Sequence, residues 1–150
     1  MAVQKETLRQ NVYTTIRNLL IANKPSYTYN GTTYSFTIIA EYGRESASFP
    51  YIVLNPALVE LELLNIDGSG EDYLVNIQLD LYSLELHRKI TVDIAMDSIM
   101  NTIIDNQSSL KSNNLLLMAD PFDESNTTPF EDNNQVLNTK SIIIKMKLQW

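Results

Sequence analysis

The sequence predicts an α+β protein, a mostly antiparallel sheet with two helices packed on one face, in the order α-ββ-ββ-α-ββ. Three observations point there. Residues 3–23 and 85–105 carry apolar side chains at gaps of three and four, the spacing of one helix face. Residues 72–81 alternate apolar and polar with a period of two, the mark of a half-buried strand. Asn30-Gly31 and Asp67-Gly68-Ser69-Gly70 sit between β-forming stretches, where hairpins turn. The chain has 150 residues, 44 % hydrophobic and 19 % charged, an ordinary balance for a single domain spanning 1–150.

The first helix takes its stripe from Val3, Leu8, Val12, Ile16, Leu19 and Leu20, and Pro25 follows its end. Tyr27, Tyr29, Tyr34 and Phe36 then flank the Asn-Gly turn, and the second arm is expected to run on through Thr37-Ile38-Ile39-Ala40. Such an aromatic row forms a sugar platform or, more commonly, cross-strand packing. Residues 41–48 read as a loop. Phe49-Pro50-Tyr51-Ile52-Val53-Leu54 opens the core strands, and Pro56 marks an edge, bend or bulge because it lacks a ladder donor.

Leu58 to Leu63 alternates, and the chain turns at Asp67–Gly70. Tyr73, Val75, Ile77, Leu79 and Leu81 then take one face, leaving Asn76, Gln78 and Asp80 on the other. Ser83 is a reasonable N-cap for the second helix, whose apolar face draws on Leu86, Ile90, Val92, Ile94, Met96, Ile99 and Ile103. Residues 105–135 are rich in Asn, Ser and Asp and read as a long flexible loop around a short Leu115–Met118 strand. Val136 to Trp150 reads as the last strand, apolar on one face in its second half.

Composition narrows the function. There is no cysteine, which removes disulfides, thiolate nucleophiles and Cys-ligated zinc. The net charge is −7, and no basic run exceeds Arg88-Lys89, so tight DNA binding is not expected. The sign reads first as solubility, and it also suits a surface past which DNA slides without sticking. No apolar run reaches the roughly 18–20 residues of a membrane helix, and the start of the chain shows no signal peptide, so synthesis in the cytoplasm and no membrane partner are expected. Asn30, Asn106 and Asn126 head Asn-x-Ser/Thr triplets that read as chance in such a chain.

No catalytic constellation emerges. His87 is the only histidine and has no nucleophile motif to serve, so it reads as a solvated surface residue. Asp120, Asp123, Glu124, Glu131 and Asp132 are acidic but lack the spacing of a calcium loop. With four glycines there is no Walker or Gly-x-Gly-x-x-Gly pattern. The expectation is no catalytic residue, no metal and no cofactor.

A helix, a hairpin, Phe49-Pro50-Tyr51-Ile52-Val53-Leu54, and then Leu79-Asp80-Leu81-Tyr82-Ser83 running into a helix form a familiar layout. Over residues 3–104 it resembles the tail terminator, or tail completion, proteins of long-tailed bacteriophages. The stretch 105–135 has no counterpart in that layout. The resemblance implies a non-enzymatic virion protein. It would form a ring, typically a homohexamer, that caps the tail tube and joins it to the capsid neck. Its partners would be itself, the tail tube protein and head–tail connector or stopper proteins, with DNA passing through the lumen unbound. Candidate interface residues are Glu60, Glu62, Asp67, Asp72, Asn76, Gln78, Asp80 and Trp150. Asp123, Glu124, Glu131 and Asp132 would form an assembly loop. A head–tail stopper or adaptor shares this size and setting. A carbohydrate- or protein-binding module using Tyr27, Tyr29 and Tyr34 is a further alternative.

Overall fold

Asn30 and Gly31 both adopt positive φ, 49° and 77°, as a two-residue hairpin turn requires. The turn joins β1 (Ser26–Tyr29) to β2 (Thr32–Ser35), an isolated antiparallel pair in register from Ser26↔Ser35 to Tyr29↔Thr32. These features belong to a computed structural model that describes residues 5–39, 51–67, 70–84, 88–132 and 135–149. The expected loop at 41–48, Phe49-Pro50, His87 and Trp150 lie outside the described residues.

The second hairpin arm does not run on as expected. Phe36 is buried and its N–H donates to the Pro25 carbonyl at 3.2 Å, which ends β2. Thr37–Ile39 then forms β3, which pairs parallel with the start of β4 (Tyr51–Asp67). β4 pairs antiparallel with β5 (Gly70–Leu84), and β5 with β8 (Gln135–Gln149). β6 (Leu115–Glu124) and β7 (Thr128–Asp132) pair with successive parts of the far side of β8. The main sheet is six-stranded, in the order β3-β4-β5-β8-β6 with β7 beside β8.

The fold is therefore α+β and mostly antiparallel, with three helices among the described residues. The chain order differs from the expected one. It runs α1, β1 to β5, α2, α3, β6, β7, β8, with α1 at Lys5–Ala22, α2 at Arg88–Asp105 and α3 at Gln107–Lys111. The stretch 105–135 is not a long loop. Its polar composition hides α3, β7 and the part of β6 beyond the expected Leu115–Met118 strand; β6 and β7 are held by ladder bonds to β8 rather than by an apolar pattern of their own.

Ser83 is not an N-cap either. It is a buried residue of β5, in register with Asn138.

One hydrophobic cluster joins Leu8, Val12, Ile16, Leu19 and Leu20 of α1 to the odd-numbered residues Tyr73–Leu81 of β5. Val92, Ala95, Met96, Ile99 and Ile103 of α2 and Ile142, Ile144, Met146 and Leu148 of β8 complete it. The α2 face is narrower than expected. Ile94 is 51 % exposed, because two helical steps carry it about 200° round from Val92.

Leu79 is fully buried on the central strand. Leu79→Ala should lower unfolding stability by about 2–5 kcal/mol in a urea titration. A change well under 1 kcal/mol would place Leu79 outside the core.

Candidate functional site

Strand alternation sends the odd residues of β5 inward and the even ones to the opposite face. That outer face is where the expected interface residues meet. Glu60 and Glu62 are exposed on β4, in register with Asn76 and Leu74 of β5. Asp72, Asn76, Gln78 and Asp80 follow one another along β5, half-buried. β8 supplies the third row, with Lys147 opposite Leu74, Lys145 opposite Asn76, Ile143 opposite Gln78 and Ser141 opposite Asp80.

The face is partly tied together. Lys147 Nζ lies 3.4 Å from Asp72 Oδ2. Gln78 Nε2 donates to Asp80 Oδ1 at 3.0 Å, and Ser141 Oγ donates to the same oxygen at 2.6 Å. Asn76 Oδ1 is buried with no partner among the described residues.

Two bulges that each hold a proline shape the margins, beside a smaller register shift at Leu63/Asn65. Residues 55–58 of β4, with Pro56, stand against Gln78 alone, so of the edge, bend or bulge expected at Pro56 the structure has a bulge. Residues 118–121 of β6, with Pro121, stand against Lys145 alone.

The remaining candidates scatter. Asp67 pairs by backbone with Gly70 at the β4–β5 turn, and its side chain lies outside the described residues. Asp123 is on β6 opposite Ile143, on the outer face. Glu124 is opposite Ile142, on the core side, with Oε1 3.6 Å from Lys140 Nζ. Glu131 and Asp132 are on β7, their side chains outside the described residues. These four do not form a loop, because all of them sit at strand positions paired with β8, Asp123 and Glu124 on β6 and Glu131 and Asp132 on β7.

Sequence reasoning missed Lys145, Lys147, Ser141 and Ile143. The signal was present, since Lys145 and Lys147 alternate with Ile144, Met146 and Leu148.

Tyr27 and Phe36 of the aromatic row are packing material, and the side chain of Tyr29 lies outside the described residues. Tyr27 is buried, its ring 5.4 Å from Tyr34 and 5.6 Å from Phe36, and its hydroxyl lies 3.1 Å from Ser83 Oγ. Burial raises the Tyr27 pKa, against the Ser83 hydrogen bond, which lowers it. With Tyr27 and Phe36 in the core, their rings are closed to a sugar.

Two hollows offer little chemistry. A groove of about 350 Å³ between α1 and the α3–β6 connection is lined by apolar, hydroxyl and amide side chains with no titratable group. A shallow notch of about 240 Å³ on the outer face lies over Ile143, with Asp123, Glu124 and Ser141 at its rim. Among the described residues, no group of three or more His, Asp or Glu side chains converges to hold a metal.

No protein-family model matches the chain, and no curated protein does.

Away from that face, Lys140 clasps α2 to the sheet. Its Nζ donates to Asp93 Oδ1 at 2.8 Å, and Thr127 Oγ1 donates to the same oxygen at 3.1 Å. The bond from Lys140 holds the Asp93 carboxyl below its ordinary pKa. Burial works against the Lys140 charge, but Asp93 and Glu124 outweigh it and raise its pKa. The lowered Asp93 adds stability that is lost as pH falls through its folded pKa. The raised Lys140 adds stability that is lost as pH rises through its own. The clasp is therefore whole between about pH 4 and about pH 10. Asp93 is 53 % exposed on its side chain, so the effect is small, about 0–1 kcal/mol. Wild type should be slightly more stable than Asp93→Asn at pH 7 in urea, and the gap should be narrower at pH 3. An equal gap at both would show that the charge contributes nothing.

Proposed function

We propose that this chain is a structural, non-enzymatic subunit of the head–tail neck of a long-tailed bacteriophage, assembling into a homohexameric ring that caps the tail tube. The outer face of β4, β5 and β8 is the feature that carries this role. Leu74 and Ile143 lie there half-buried among charged and amide side chains. A mixed apolar and polar surface of that kind suits contact with another protein surface. In addition, the layout of residues 3–104 resembles tail terminator proteins in the segments quoted above.

The finer architecture fits the same role. α1 and α2 pack on one face of the main sheet, which leaves the opposite face for neighbouring subunits. The shared cluster of α1, α2 and odd-numbered β5 residues supports this arrangement.

In the ring, DNA would pass through the lumen without specific binding. The net charge of −7 favours that, since it repels phosphates. Partners would be other copies, the tail tube protein, and connector or stopper proteins of the neck. The finished protein would sit in the virion, at the junction of tail and capsid.

Mass photometry and negative-stain imaging test the role, on the purified chain alone and mixed with tail tubes. Rings of about six subunits at tube ends are expected. Rings that bind connectors and ignore tubes would move the chain to a stopper or adaptor position. A monomer that ignores both would remove the neck role.

A further inference from the structure

The outer face separates its charges by strand. Glu60 and Glu62 rise from β4. Lys145 and Lys147 rise from β8, two strands away, roughly 10 Å across the sheet. Lys147 is engaged by Asp72. Among the described residues, Lys145, Glu60 and Glu62 have no ion-pair partner.

The row Glu60–Asn76–Lys145 therefore runs straight across three strands with opposite charges at its ends. The intervening strand keeps them apart. The 118–121 bulge of β6 also takes away the in-register neighbour that Lys145 would have on its other side. Between the two charges, Asn76 Oδ1 is buried without a donor. A buried carbonyl of that kind is costly to leave unmet.

We infer that this face binds a second copy of the chain, Glu60 and Glu62 of one copy seating on Lys145 of the other. This contact rests on the assembly role proposed above and specifies it. The acidic and basic patches are complementary halves of one face, so a second copy can meet both. Copies of net charge −7 repel one another at long range, so local complementarity must select and orient the contact. A nucleic acid is a poor occupant, because Glu60 and Glu62 would face its phosphates.

Charge exchange tests this contact. Glu60→Lys/Glu62→Lys sets cation against cation, and Lys145→Glu sets carboxylate against carboxylate. Each variant alone should assemble about tenfold or more weakly by mass photometry. Mixed in equal amounts, the two should recover assembly, because every contact then joins opposite charges. Circular dichroism on each variant should match wild type, since the three positions lie outside the core. If wild type assembles and Lys145→Glu assembles equally well, the contact is wrong while the ring stands. Weakened variants that the mixture does not rescue would also overturn it. A wild type that never assembles would remove both the contact and the ring.

Discussion

Everything in this structure depends on the two-residue alternation of β5. It is the strand with a long partner on each side, β4 and β8. Its odd positions from Tyr73 to Leu81 are buried, and Ser83 continues the row with its hydroxyl met by Tyr27. A slip of one residue would drive Asp72, Asn76, Gln78 and Asp80 into the core and bring Val75, Ile77 and Leu79 to the surface. The cost of burying two carboxylates and two amides makes the register close to obligatory. The β5–β8 ladder, regular from Asp72↔Gln149 to Leu84↔Leu137, holds that register along its whole length. The character of the outer face is thus a by-product of what the core demands.

The strands flanking β5 and β8 are far less regular, and the irregularity has a consequence. β4 bulges at 55–58 and β6 at 118–121, each around a proline. Bulges twist a strand, and proline removes a donor, so both blunt edge-to-edge pairing. Glu60, Glu62, Asp120 and Asp123 add charge along the same two strands. Uncontrolled sheet extension is disfavoured at both places. Contact through the face, where side chains rather than backbone select the partner, is the more specific route left.

Legibility in the sequence followed the strength of the local signal. The α1 stripe, the Asn30-Gly31 turn, the bulge at Pro56 and the faces of β5 could all be read, because burial and turn geometry dictate those residues directly. The third helix, β7 and the part of β6 after Met118 could not, although the short strand read at Leu115–Met118 opens β6. Leu116, Leu117, Pro121 and Phe122 are only half-buried and the rest of β6 after Leu115 is exposed, so no clean alternation survives in LLLMADPFDE. That strand exists because β8 supplies its hydrogen bonds, which is tertiary information. Ser83 misled for a related reason. A serine before an amphipathic stretch resembles a cap, whereas here a tyrosine distant in sequence gives it a buried partner. The acidic half of the outer face was readable from the β5 alternation, and the basic half required knowing that β8 lies beside it.

That last point bears on how so acidic a chain could associate with itself. With 11 basic and 18 acidic residues, its cations are scarce. Lys140 holds α2 to the sheet, Lys147 holds Asp72, and Arg9 lies 3.5 Å from Glu6. These are already spoken for within the fold. A cation on the sheet face with no intramolecular partner is then the least redundant charge available for contact between copies. Because long-range repulsion is screened within about a Debye length while a partly desolvated pair is screened much less, moderate salt would weaken what opposes association more than what directs it. Lys145 combines these properties: it is half-buried, beside a bulge and within reach of an unmet amide oxygen's strand.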